Sequence, residues 1–276
     1  MPGSLLSWEW PPSCYTTGNG CSDGMPRNDV DPEAHVQDII AAVNYIAESR
    51  PELDSSRLSL FGHCMAGGLV IQAAAKLQDR VKAVISVVPM LDGRHNLWYS
   101  MESRGVFGSL RLLLCGVTDM VRGVLGMSPA YVPIIGLKDK HQFAVIEAAK
   151  SEFDEYWSRH TMKQTPPVPY LGGWQNRVTA RSIFKYMGMR PLQVVDLVSA
   201  PILIVHPAVD HVVPNYLIPM AARQAKHPGS RVFVTEYRHF EQATKGFYST
   251  VQQMKGFMRE FSHPSMVELT KVSSQT

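Results

Sequence analysis

Cysteine is scarce in this sequence. Four occur in 276 residues (Cys14, Cys21, Cys64 and Cys115), two in an early loop and two in apolar surroundings, none at metal-ligand spacing. That excludes a disulfide framework and a zinc cluster, and it predicts a reducing, cytoplasmic compartment. Charge is modest as well: 27 Lys and Arg against 24 Asp and Glu leave a net +3, with the basic residues scattered. A nucleic-acid partner calls for a basic stripe interleaved with aromatics, and the sequence has none. No run reaches the ~18–20 apolar residues of a membrane span. The most apolar window, residues 106–125, is broken by Arg111, Asp119 and Arg122, and reads as an amphipathic helix over a pocket. Residues 1–13 carry no positive segment followed by an apolar run, so no signal peptide is expected. Gly18 and Gly20 are not followed by the rest of a dinucleotide fingerprint, and no metal or other cofactor is implied.

What is present is a repeated grammar: a short β-branched run, a turn, then a helical pattern. It occurs at Leu58 to Gly62 with a helix from Met65 to Leu77, and at Pro201 to Val205 with a helix from Pro214 to Lys226. A third copy runs from Arg231 to Thr235, with a helix from about Gln242 to Phe261. Residues 81–88 add a strand that is apolar nearly throughout. Continuous apolar strands alternating with helices indicate a parallel sheet covered on both faces. Ahead of these, Asp31 and Pro32 open a helix with a buried stripe of Ile39, Val43 and Ile46. Helical stretches predominate from Met90 to about Arg190. The organisation predicted is a discontinuous α/β core of residues 1–90 and 191–264, a helical cap of residues 91–190, and a disordered tail of residues 265–276.

The informative motif is Gly62-His63-Cys64-Met65-Ala66-Gly67-Gly68, between a predicted strand and a predicted helix. A nucleophile elbow needs a small residue two before and two after the reactive side chain, because backbone packs on backbone there. Gly62 and Ala66 supply them. Cys64 then projects from the carboxyl end of the sheet onto a helix N-terminus, a position that favours a thiolate. The backbone N–H of Met65 is one expected oxyanion donor. The competing reading, a buried structural cysteine, describes most cysteines.

An α/β hydrolase carries its acid and histidine after the nucleophile, in that order. Asp210 lies five residues beyond the strand ending at Val205, and His239 four beyond Thr235. Asp210 is expected to hold the imidazole in one tautomer, while His239 takes and returns the thiol proton. His206 and His211 flank the acid loop, His63 adjoins the nucleophile, and Asp92 follows the 81–88 strand as an alternative acid. Glu241 is too near His239 in sequence to orient it easily.

These residues, with residues 20–27, Gln37-Asp38, Asp210 to Pro214 and His239 to Phe247, together resemble the fungal α/β-hydrolase-fold polyketide transferases of gregatin and fumagillin type. The resemblance implies an α/β-hydrolase fold: a mostly parallel sheet with an inserted α-helical cap. It implies an acyl thioester or polyketide chain as substrate, carried free or on a polyketide synthase carrier domain, and a cysteine that holds the acyl chain before passing it on. Trp98, Tyr99, Trp157 and Trp174 are the expected pocket residues, with Phe107, Leu112, Leu113, Leu114 and Tyr170 as further apolar material in the cap.

One departure concerns the N-terminus. The family runs about three strands before the Gly20 loop, and a His-Gly-type loop there supplies the second oxyanion N–H, a donor worth roughly 2.7–4 kcal/mol. Few residues precede Gly18 here, so the N-terminal strands are expected to be missing, through a misassigned start (the preferred explanation) or a natural shortening. Transfer to a second acceptor is the leading activity. Hydrolysis with the same triad, and a non-catalytic binding partner with a relic site, are the alternatives. The oligomeric state is not legible.

Overall fold

The computed structural model describes residues 18, 22–137, 144–148, 150–152, 154 and 175–262. Helix α1 (Pro32–Ser49) starts where its sequence predicts. The Asp31 carboxylate accepts the Ala34 N–H at 3.2 Å, and Pro32 sits in the first turn, where an amide has no helical partner anyway. Val36 and Val43 are buried, with Ile39 and Ile40 packed partly against the core.

Strand β1 (Ser59–His63), helix α2 (Met65–Leu77) and strand β2 (Ala83–Val87) form the first βαβ unit. Helix α3 (Gly93–Val124) follows, capped by Asp92, whose carboxylate accepts the N–H groups of Arg94 and His95. At Gly105 the backbone leaves the helical region (φ 73°, ψ 168°), a left-handed φ that favours glycine, so α3 is two segments joined at a break. Four short strands come next: β3 (Tyr131–Val132), β4 (Ile135–Leu137), β5 (Ile146–Ala148) and β6 (Val178–Thr179). They pair as antiparallel β3–β6 and parallel β4–β5, small sheets that the sequence pattern did not predict. Runs of two or three residues are too short to show a period. Helix α4 (Ser182–Met187), strand β7 (Ile202–Pro207), helix α5 (Ile218–Gln224), strand β8 (Arg231–Thr235) and helix α6 (Phe247–Phe261) complete the chain.

The main sheet has the order β1-β2-β7-β8, and every neighbouring pair is parallel. Alternation along β2 sorts its side chains between two cores. Val84 joins Ile202, Ile204 and the buried faces of α1 and α2 on one side. Ala83, Ile85 and Val87 join Leu203, Val205 and Phe257 of α6 on the other. Covered on both faces, the sheet is buried as its apolar strands require.

Between β2 and β7 a third cluster forms around Leu112, Val132, Val178, Ala180 and Ile183. It is pinned by Asp119, whose side chain is completely buried. That carboxylate accepts the Ala130 N–H at 2.6 Å, the Arg181 N–H at 3.0 Å and the Arg181 guanidinium at 2.8 Å. Burial opposes its charge, but the two amides and Arg181 hold its pKa below the ordinary carboxylate value. Trp157, Tyr170, Trp174 and the 265–276 tail lie outside the described residues.

Removing Asp119 strands the Arg181 charge and two amides. Asp119→Ala is expected to cost about 3 kcal/mol, read as a lower urea midpoint. A depressed carboxyl pKa contributes stability above the unfolded value near 4, and that contribution is lost as pH falls through the lower folded value. The gap between parent and variant should therefore be full at neutral pH and close only in acid.

Candidate active site

Three strand ends make the site. Parallel strands place their carboxyl ends on one edge, so the residues after β1, β7 and β8 are neighbours despite their separation in sequence. Cys64 follows β1, Asp210 lies beyond β7, and His239 lies beyond β8.

The elbow is held by close backbone contact. A Cβ on Gly62 would fall 2.1 Å from the Ala66 carbonyl oxygen, and one on Gly68 would fall 2.2 Å from the Met90 carbonyl oxygen. Both positions therefore require glycine. With β1 and α2 so close, the chain turns through Cys64 at φ 56° and ψ −119°, a left-handed conformation rare for a residue with a side chain. Three hydrogen bonds compensate. The Cys64 N–H donates to Val87 at 2.9 Å, and its carbonyl accepts from Gly67 at 3.0 Å and from Met90 at 3.1 Å. Met65 opens α2, so its N–H is one of the first-turn amides that no helical carbonyl can satisfy.

The acid and the histidine meet as their spacing implied. His239 Nδ1 lies 2.8 Å from Asp210 Oδ2, with both side chains fully buried. The other carboxylate oxygen of Asp210 accepts the N–H groups of Val212 at 2.7 Å and Val213 at 3.0 Å. Burial would raise the Asp210 pKa, but the His239 charge, its hydrogen bond and the two amides keep it below the usual range. His239 Nε2 is buried without a conventional hydrogen-bond partner and interacts with the Cys64 sulfur. Burial opposes the imidazolium, yet the charges of Asp210 and Cys64 outweigh it and lift the His239 pKa to about 10. His239 is therefore protonated at neutral pH.

Asp92, Glu241 and His206 are occupied elsewhere. Asp92 caps α3 and pairs with Arg190 at 2.8 Å. Glu241 accepts the Arg238 N–H and pairs with Lys245. His206 Nδ1 lies beside the Pro207 carbonyl. His63 stacks edge-on against His239 with ring centres 5.7 Å apart. Among the described residues no group of three or more His, Cys, Asp or Glu is arranged to hold a metal.

Of the expected pocket residues, Trp98 and Tyr99 line a cleft of about 380 Å³ with Met101, Glu102 and Tyr216. The Tyr99 hydroxyl donates to the main-chain carbonyl of Asp210, a role the sequence did not suggest. Phe107 and Leu114 instead face solvent, while Leu112 is buried. Sequence reading missed two further polar groups. Tyr186 lies close enough to Cys64 that burial, and then the cysteine's charge, raise its pKa, with Arg104 opposing. The Asn96 amide lies 3.5 Å from the Tyr186 hydroxyl, and its buried carbonyl oxygen has no partner. No periodicity in a single sequence links a tyrosine on α4 to an elbow at the end of β1.

With strand order, elbow and acid–base pair established, comparison with known proteins becomes informative. The sequence profile of the family described as serine aminopeptidase, S33 matches residues 16–240. The chain belongs to this family of α/β hydrolases. The S33 family's name refers to serine, and this member carries Cys64 at the elbow. The resemblance to fungal polyketide transferases is borne out. Polyketide transferase af380 of Aspergillus fumigatus is 27% identical over 192 residues, and polyketide transferase grgF of a Penicillium species is 28% identical over 195. These alignments cover 69% and 70% of this chain. The chain spans 58% of the length of each relative. The crystal structure of GrgF from Penicillium superposes with a TM-score of 0.66 at 22% identity, covering 88% of this chain and 76% of that one, which establishes the shared fold.

A raised imidazole pKa adds stability that is complete below the unfolded value near 6.5 and lost as pH climbs through about 10. Imidazole NMR should accordingly show His239 protonated and not titrating between pH 6 and 9. Asp210→Asn removes the counter-charge and should bring that titration down into the neutral range.

Proposed function

We propose that this chain processes polyketide acyl thioesters: Cys64 takes the acyl group from a thioester donor and passes it to a second acceptor. The observation that carries the reading is the buried Asp210–His239 pair, whose free nitrogen faces the thiol of an elbow cysteine. Support for the substrate class comes from the names of the curated relatives, polyketide transferases and thiohydrolases alike.

The chemistry follows from the placement of the proton. The Cys64 sulfur attacks the thioester carbonyl, and charge develops on its oxygen, where the Met65 N–H is a donor. As the tetrahedral species collapses, the donor's carbon–sulfur bond breaks and His239 protonates the departing thiolate. The acyl group now sits on Cys64 as a thioester, about as activated as the donor. His239, left neutral, accepts the proton of the incoming nucleophile as that nucleophile attacks the acyl carbon, and the Cys64 sulfur departs. Asp210 keeps Nδ1 bonded, so Nε2 serves both half-reactions. The donor is a free acyl thioester or a chain on a polyketide synthase carrier domain.

A second reading has water as the acceptor. The relatives named thiohydrolase favour it, and the same triad performs it. Transfer needs water kept from the acyl carbon while the acceptor binds.

Intact-mass spectrometry after incubation with a short acyl thioester mimic tests both. One acyl group should add to the chain and be absent from Cys64→Ala, and turnover in that variant should fall by at least about a thousandfold. Retained turnover without Cys64 would sink the triad assignment. Cys64→Ser forms an oxygen ester, a poorer relay than a thioester, so hydrolysis should gain on transfer. Equal partitioning by both proteins would show that the thiol is not what selects the acceptor.

A further inference from the structure

The distal segment of α3 presents an apolar face to solvent. Phe107, Leu110, Leu114, Val117, Val121 and Val124 are all at least half exposed, reaching 88% for Phe107 and Val124. Their spacing is three, four, three, four, three, the a/d pattern of a coiled-coil seam. The opposite side of the helix is fully engaged: Leu112 and Asp119 have no exposure, and Gly116 lies against Ile183 and Phe184. Among the described residues the seam is thus not packed against the rest of the chain.

We propose that this face is a homodimer interface, in which α3 pairs antiparallel with α3 of a second copy about a twofold axis passing between Cys115 and Gly116. Three features single out a second copy. First, the seam is self-complementary under that operation, as an isologous interface must be. Phe107 meets Val124, Leu110 meets Val121 and Leu114 meets Val117, each a residues-to-partner match of apolar with apolar. Second, the exposed apolar side chains of residues 106–127 present on the order of 1,000 Å² per chain, against ~800 Å² buried on each partner in a standard interface. Isolated monomers rarely leave a patch of that size uncovered. Third, the charges are compatible. No acidic side chain is exposed on this face, so an acidic group has no place in the register. Arg111 lies on the same edge of the seam as Thr118 of the copy, with the two Arg111 positions roughly 13 Å apart along the helix pair. A lipid surface is the rival occupant, and the three-four spacing of the six central residues speaks for a helix instead.

Sedimentation velocity of the full chain should give twice the 30.8 kDa chain mass at tens of micromolar. Leu114→Glu with Val117→Glu places four carboxylates at the axis and should yield a monomer with unchanged near-UV circular dichroism. Mixing it with the Leu114→Lys, Val117→Lys chain should restore the two-chain mass through opposite charges, which a misfolded variant cannot do. A monomeric parent chain overturns the proposal, whether or not it binds phospholipid vesicles. So does a parent dimer that survives the glutamate substitutions, or a glutamate–lysine mixture that stays monomeric.

Discussion

A Cβ on Gly62 would lie 2.1 Å from the carbonyl oxygen of Ala66, so β1 and α2 approach each other more closely than any other residue allows. From that contact the remainder of the site follows. The chain has no room for a gentle turn, so Cys64 takes a left-handed backbone, and its side chain packs, partly buried, against the cluster around Ile85 and Val87. The same contact starts α2 at the very next residue, which brings the Met65 amide and the positive end of the helix beside the sulfur. Bonds from Cys64 to Val87 and Met90 then fix this strained unit to β2 and to the loop that leads into α3.

The acid–base pair is a second rigid unit, built independently. Val212 and Val213 bind one oxygen of Asp210, and His239 binds the other, so the carboxylate has no freedom to rotate. The imidazole, fixed in turn, has one nitrogen left. Each unit is held by amides of its own. The parallel register of β1, β2, β7 and β8 brings them together.

Much of this was legible in the sequence because the relevant signals are local. A small-x-Cys-x-small pattern between a strand and a helix encodes a steric requirement within seven residues, and Gly62 and Gly68 behave as that requirement says. Asp210 and His239 were legible from their distance past apolar strands, since strand ends set loop positions. The architecture of the 91–190 region was less so. Strands as short as β3 and β6 draw their existence from tertiary contact with Asn28, Ala130 and α3, and no period survives in two residues. Tyr186 and Asn96 were invisible because their relation to Cys64 is purely spatial. The 106–125 window was read as an amphipathic helix over a pocket; the helix is there, but the described cleft is lined by Trp98, Tyr99, Met101, Glu102 and Tyr216, and amphipathicity does not tell which side faces the protein. Here the polar Asp119 is turned inward by its bonds to Ala130 and Arg181, and the apolar residues are turned out.

The hydroxyl of Tyr99 binds the peptide oxygen of Asp210, and Tyr99 shares its cleft wall with Trp98. The inserted region and the acid loop are thus joined by a hydrogen bond. The peptide that carries the Asp210 carboxylate is thereby fastened to the first segment of α3 as well as to the Val212 and Val213 amides.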